Sequence, residues 1–196
     1  NEGSQPYRDL FWGPDPKTGE VILCRAYSLD LSVSHSVPYN IQFGRTSFTK
    51  NFMNHYLMAD GTRFQDRSGW AVMTYPEEVV NRDPRMAQTV LCPGFTYAGS
   101  TKVIPCKLYS HTGYEPIKYI GDEESVQVGK GRHPWIIFRA AEVYLNYAEA
   151  VAELGTITQN DLDQTINKIK ARAKMPSIKL ETVNASPDPY LLSYYK

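Results

Sequence analysis

The stretch from Arg139 to Ala173 constrains the fold most, because it reads as two amphipathic helices of matched length turned back on each other. Ala140, Val143, Tyr144, Tyr147, Ala148 and Val151 recur at the three- and four-residue steps that bring side chains onto one helical face. That stripe predicts burial. Gly155 stands where a helix ends in a left-handed residue, and Thr158 or Asn160 supplies a side-chain oxygen for the free amides of a second helix. Leu162, Ile166, Ile169 and Ala173 carry the stripe onward, and Pro176 stops it. Such a hairpin has the roughly 34-residue size of one tetratricopeptide unit, which cannot bury its hydrophobic face alone. It expects neighbours.

Charge narrows the function classes. With 21 basic and 21 acidic residues the formal net charge is zero, so no field draws the chain to nucleic acid or to an anionic membrane. No uncharged apolar run approaches the length that spans a bilayer. The 14 Tyr, 7 Phe and 3 Trp are accompanied by 13 Gly and 13 Pro, a composition that predicts ordered loops carrying aromatic rings. From Asn1 to about Arg45 turn signals surround one apolar run, Val21 to Cys24, which suits a strand. A short helix is expected from about Ser47 to Tyr56. Then come a turn at Asp60-Gly61, a loop at Gly69-Trp70, and Asp83-Pro84, where Asp caps and Pro takes a first helical position. A short strand is expected at Ala87 to Leu91, and Tyr97 to Tyr119 reads as turns.

Nothing in the sequence assembles a catalytic site. Glu77-Glu78 and Asp122-Glu123-Glu124 are adjacent carboxylates, whereas glycoside hydrolysis needs two carboxyl groups spaced across a bond. His35, His55, His111 and His133 fit no HExxH spacing, and no GxSxG elbow or CxxC pair occurs. Asp60-Gly61 and Asp122 to Glu124 offer oxygen donors without EF-hand spacing. Neither a metal nor a cofactor is expected.

The run from Arg139 to Ala150, RAAEVYLNYAEA, followed by Ile166-Asn167 and Ala171-Arg172-Ala173, closely resembles the C-terminal repeat helices of the SusD/RagB family. Two further landmarks agree in order: Asn81-Arg82-Asp83-Pro84-Arg85 with Thr89-Val90, and Met58-Ala59-Asp60-Gly61 closing the short helix. The resemblance runs from about Trp12 to Ala173. It implies a mainly α fold with much ordered loop, in which one tetratricopeptide-type hairpin joins a loop-rich subdomain with short strands. On this basis residues 1–131 are expected to bear the ligand site, 132–176 the hairpin and 177–196 a tail. The family's signal peptide, lipid-bearing cysteine, earlier repeats and later C-terminal segment have no counterpart here, so the chain is expected to be a fragment.

The resemblance also implies a role: non-catalytic capture of an oligosaccharide or polysaccharide at the bacterial surface, for delivery to a SusC-like TonB-dependent outer-membrane transporter. The protein would be held there by an N-terminal lipid anchor that this sequence lacks. The alternatives are an interaction subunit of a surface uptake complex without its own glycan site and, third, a glycoside hydrolase. Sugar C–H faces stack on aromatic rings while hydroxyls need amide, carboxylate or guanidinium partners. The loop holding Asp66, Arg67 and Trp70, with Tyr75 just beyond, has both ingredients and is the leading candidate. Tyr39 and Tyr97 follow, with Trp12, Tyr109 and Tyr114 weaker still, while Trp135, set among Ile136, Ile137 and Phe138, is expected in the core. Cys24, Cys92 and Cys106 make an odd count; Cys92 and Cys106 either pair, as an exported compartment would allow, or serve with Cys24 as small buried hydrophobes.

Overall fold

The computed structural model describes residues 5–106 and 109–195. The turn-rich stretch expected from Tyr97 to Tyr119 therefore lies outside the described residues at 107 and 108. The architecture is mostly helical, with one two-stranded ribbon and long ordered loops.

Local chemistry explains the short helices. Helix α1 (Pro6–Trp12) and α2 (Val37–Phe43) each carry Pro in the first turn, where its missing N–H costs nothing. Helix α3 (Lys50–Asn54), shorter than expected, starts at Thr49, whose hydroxyl accepts from the Phe52 amide at 3.1 Å. In α4 (Tyr75–Glu78), Glu77 reaches back to the Thr74 amide at 2.7 Å, a capping box. The expected strand at Ala87 to Leu91 does not form. Met86–Gln88 is a 3-10 turn and only Val90 makes an isolated bridge, to Pro116, so the apolar run there is core filling.

Strand β1 (Val21–Arg25) does form, and it pairs antiparallel with β2 (Trp135–Arg139) in an irregular register from Val21↔Arg139 to Arg25↔Trp135. Helix α5 (Ala140–Glu153) follows β2 without a gap. Glu20 accepts ion pairs from Arg139 at 2.9 Å and Arg172 at 2.7 Å, which tie the start of β1 to both arms of the hairpin.

The hairpin turns as its residues dictate. Gly155 sits at φ 69°, its amide bonds Ala152 carbonyl and the Thr156 amide bonds Val151 carbonyl, a Schellman closure of α5. Thr158 then caps α6 (Gln159–Gln164), with Asp161 completing the capping box. The second helix is interrupted. Thr165 leaves helical geometry, its hydroxyl bonds the Asp161 carbonyl at 2.5 Å, and the chain resumes as α7 (Ile166–Arg172).

The seam between these helices is narrower than the spacing predicts. Ala141 and Ala148 are buried, as are Leu162, Ala173 and Met175 opposite, and Tyr144 and Val151 are half-buried. Val143 and Tyr147, expected in the buried stripe, are 52% and 50% exposed. The two alanines let the backbones approach closely, so α6 and α7 cover only that line, and no described element covers the other flank. Trp135 likewise departs from its expected core position: it is 39% exposed, stacked on Tyr119 with ring centroids 4.8 Å apart.

The core lies in the loop-rich region, in two clusters. One gathers Leu91, Phe95, Tyr97, Ile117, Ile120 and Val126; the other Met53, Tyr75, Met86, Val90 and Tyr114, with Cys106 touching both. The Asn81 to Arg85 motif braces the second. Buried Arg82 donates to the carbonyls of Met53, Tyr56 and Glu78 at 2.7 to 2.9 Å while its guanidinium covers the Phe64 ring at 4.0 Å. Asp83 receives the Arg85 amide and guanidinium. Cys24 and Cys92 are free thiols; Cys92 is buried against the Tyr75 hydroxyl, and burial pushes its thiol up to about 11. Two further short helices, α8 (Leu180–Ala185) and α9 (Pro189–Tyr194), close the chain, the latter capped by Asp188.

Candidate functional site

The loop from Arg63 to Val72 is anchored by Phe64, which is fully buried beneath Arg82. Two 3-10 turns, Phe64–Asp66 and Trp70–Val72, flank Gly69, whose φ of 73° lets the chain reverse between them. The reversal lays Trp70 edge-on against Phe64, with centroids 6.2 Å apart, and leaves its indole half-buried. Asp66 is exposed and pairs with Arg63 at 3.1 Å. Arg67 is half-buried, and its Nη1 has no hydrogen-bond partner among the described residues. An indole, a carboxylate and a guanidinium thus share one short loop.

The surface continues through Arg63. Its Nη1 also reaches Asp188 at 3.3 Å, and its guanidinium lies over the Tyr190 ring at 4.4 Å. Tyr190 stacks on Tyr194, and both rings meet His55 edge-on. Beside His55 opens a cavity of about 310 Å³ lined by Tyr7, Phe52, Tyr56, Asp83 and Arg85 among others. The α9 tyrosines carried no sequence signal, because their chain segment has no period and meets the loop through Arg63, far away in sequence.

Two of the sequence candidates are corrected. Tyr75 is 9% exposed and its hydroxyl donates to the Leu91 carbonyl at 2.7 Å; Tyr97 is 7% exposed and its hydroxyl accepts from Gln42 at 2.5 Å. Both rings fill the core, where burial raises the phenol pKa of each, and neither offers a face to a ligand. Tyr39 is half-buried on α2, tilted against Phe43 at 5.1 Å. Of the weaker candidates, Tyr114 is buried and Trp12 and Tyr109 are half-buried.

The adjacent carboxylates are engaged structurally. Glu77 caps α4, which holds its carboxyl below the usual range, while buried Glu78 pairs with Lys50 and accepts from the Tyr114 hydroxyl at 2.9 Å. Asp122 and Glu124 both bind Arg132, at 2.5 and 3.2 Å. Among the described residues no group of His, Cys, Asp and Glu is placed to hold a metal ion.

Residues 19–191 match the SusD family. A SusD-like carbohydrate binding protein from Bacteroides fragilis is similar over 88% of this chain and 38% of its own, at 26% identity and a TM-score of 0.66. A second SusD-like protein from the same organism shares the fold over 96% of this chain and 41% of its own, at 22% identity and a TM-score of 0.65. The chain thus spans about two fifths of the length of these solved structures. No curated protein matches it.

Proposed function

This chain belongs to the SusD family, and from that premise we propose that it forms part of a non-catalytic protein that captures oligosaccharide or polysaccharide at the bacterial cell surface. One observation supports this reading most: the half-buried Trp70 indole shares a loop outside the helical hairpin with Asp66 and Arg67. A sugar ring would lay its C–H face on the indole while its hydroxyls meet the carboxylate and guanidinium. In this reading residues up to 131 carry the ligand and the hairpin of 132–176 is the rigid scaffold. The captured glycan would pass to a SusC-like TonB-dependent transporter, with the protein held at the outer membrane by a lipid anchor. No helix among the described residues is long and apolar enough to cross a membrane.

A shallow platform of this kind exchanges water on both partners for a few contacts, so micromolar to millimolar binding is expected, about −4 to −8 kcal/mol. Repeated sites along a polymer would raise retention without new contacts. Isothermal titration of the intact protein with a panel of polysaccharides tests the function. Trp70→Ala should weaken binding by about tenfold with an unchanged circular dichroism spectrum, as removal of one stacking platform implies. Binding to no glycan at all refutes the reading.

A second reading has its own observation. Ile22, Leu23, Ile137 and Phe138 of the ribbon and Val143 and Leu145 of α5 are exposed, as at protein contacts. An interaction subunit without a sugar site would bind the transporter through such a face and bind no glycan, which co-purification with the transporter combined with absence of glycan binding distinguishes.

A further inference from the structure

The cavity of about 310 Å³ beside α3 is lined by Tyr7, Phe52, His55, Tyr56, Arg85 and Thr89 among others, and by no residue of the Arg63–Val72 loop. Helix α1, helix α3 with the turn after it, and the stretch from Asp83 to Thr89 meet there. Hydrogen bonds fix these stretches to one another: the Tyr7 amide donates to the Gln88 side-chain oxygen at 2.9 Å, and the Asp83 amide donates to the Leu57 carbonyl at 2.8 Å. Phe52 stacks on Phe48 with centroids 4.7 Å apart and is still 43% exposed. An apolar ring in the cavity wall thus stands open to solvent.

Arg85 decides what the cavity can hold. Its Nε and Nη2 donate to buried Asp83 at 2.5 to 3.1 Å, and its amide donates to the same carboxylate. The side chain is nonetheless about one third exposed, and Nη1 makes no hydrogen bond among the described residues without being sealed from solvent as the Arg82 Nε is. The guanidinium therefore keeps one open edge, Nη1 with the second Nη2 hydrogen, while the bonds on its other edge hold it still. Such an edge receives a planar carboxylate through two parallel N–H···O bonds. His55 is exposed, and its Nδ1 donates to the Asn51 carbonyl at 2.8 Å, which leaves Nε2 for a ligand hydroxyl.

The surrounding charge favours an anion. Lys170 lies close enough to Arg85 to feel it: burial first, then Arg85, lower the pKa of its ammonium. A smaller neighbouring cavity shares Tyr7 and Arg85 and adds Arg172 and Lys174. Against Arg85, Lys170, Arg172 and Lys174 stand the carboxylates of Asp83 and Glu20, and Glu20 is itself divided between Arg172 and Arg139. In a chain of zero net charge this is a local excess of positive charge, which draws acidic ligands. The volume suits a single sugar unit rather than a long segment.

We propose, on the reading of this chain as a glycan binder, that the Tyr7–Arg85 cavity is a second saccharide subsite that takes a uronate unit, its carboxylate on the open edge of Arg85 and its ring beside Phe52.

The intact protein carrying Trp70→Ala, titrated with uronate and with neutral oligosaccharides of matched length, tests this. The uronate should bind about tenfold more tightly than the neutral sugar and shift the His55 imidazole nitrogen resonances. Adding Arg85→Gln should erase the preference. Because that change strands buried Asp83 without its cation, Phe52→Ala on the same background gives a second measurement, and it should weaken uronate binding by about five- to tenfold with an unchanged circular dichroism spectrum. Loss of all binding with Trp70→Ala alone, equal affinity for the two sugars, binding that leaves His55 unmoved, or uronate binding unchanged by Phe52→Ala overturns the subsite and leaves glycan capture standing. Failure of the unsubstituted protein to bind any glycan overturns both.

Discussion

Arg82 and His133 hold the loop-rich region together by opposite chemistry. Arg82 replaces secondary structure: three backbone carbonyls from α3, the turn after it and α4 converge on one guanidinium, and burial lowers its pKa without discharging it. A lysine ammonium cannot reach three carbonyls in a planar fork and would strand at least one of them. Arg82→Lys should therefore cost about 3 kcal/mol or more, read as a lower urea midpoint at unchanged slope. His133, buried against Tyr119, contributes by staying neutral. Folded, it takes a proton only near pH 3, whereas unfolded it takes one near the ordinary 6.5. Between those values the unfolded chain binds more protons, so stability falls as pH falls, by up to about 1.4 kcal/mol per pH unit from this group. His133→Phe keeps a flat ring against Tyr119 and cannot be protonated; its urea midpoint should fall less between pH 6 and pH 4 than that of the unsubstituted chain. Equal slopes would show that His133 is not the proton acceptor.

At the scale of elements, what was legible in the sequence was what adjacent residues decide. Gly155 at φ 69° and the Thr158–Asp161 box are local devices, and both stand where the residues place them. Gly155→Ala would force a Cβ into the left-handed region with no clash to relieve, since nothing lies within 4 Å of that position. Its cost should be backbone strain alone, about 1 kcal/mol, seen as a lower melting temperature with unchanged helical content. The strand at Val21 was equally legible from its apolar run. The missed strand at Ala87 to Leu91 and the missed break at Thr165 mark where this logic ends: the first is decided by burial beneath Tyr75 and Tyr114, the second by a hydroxyl competing for the Asp161 carbonyl. Ring exposure fails for a related reason. Trp70, Tyr75 and Trp135 are all aromatic residues, yet one edges onto Phe64 within its own loop, one fills a core and one stacks outward on Tyr119, because the packing partner, which composition does not name, decides each outcome. The candidate loop could be named from its composition, whereas the contact of Arg63 with the Tyr190 ring could not.

The whole molecule carries an imbalance that those elements do not resolve. Its two buried clusters belong to the loop-rich region, while the ribbon and α5 turn Ile22, Phe138 and Val143 to solvent at about half exposure or more. Exposed apolar residues occur singly on most proteins, but here they fall on paired strands and on the helix that continues one of them. Association that buries them gains about 25 cal/mol for each Å² removed from water, enough for a modest area to overcome the entropy of self-association at high concentration. The chain by itself should therefore show concentration-dependent self-association in sedimentation velocity and should enhance the fluorescence of a hydrophobic dye. Replacing Ile22, Phe138 and Val143 together by Lys should abolish both signals while leaving the melting temperature within a few degrees, since none of the three belongs to either buried cluster. If instead the substituted chain unfolds, these side chains are part of the folded core, and the division between a buried loop-rich region and an uncovered hairpin is wrong. If the unsubstituted chain remains monomeric at high concentration and dark to the dye, the ribbon and α5 are covered by a rearrangement that brings the hairpin stripe, Val143 and Tyr147 included, back under cover.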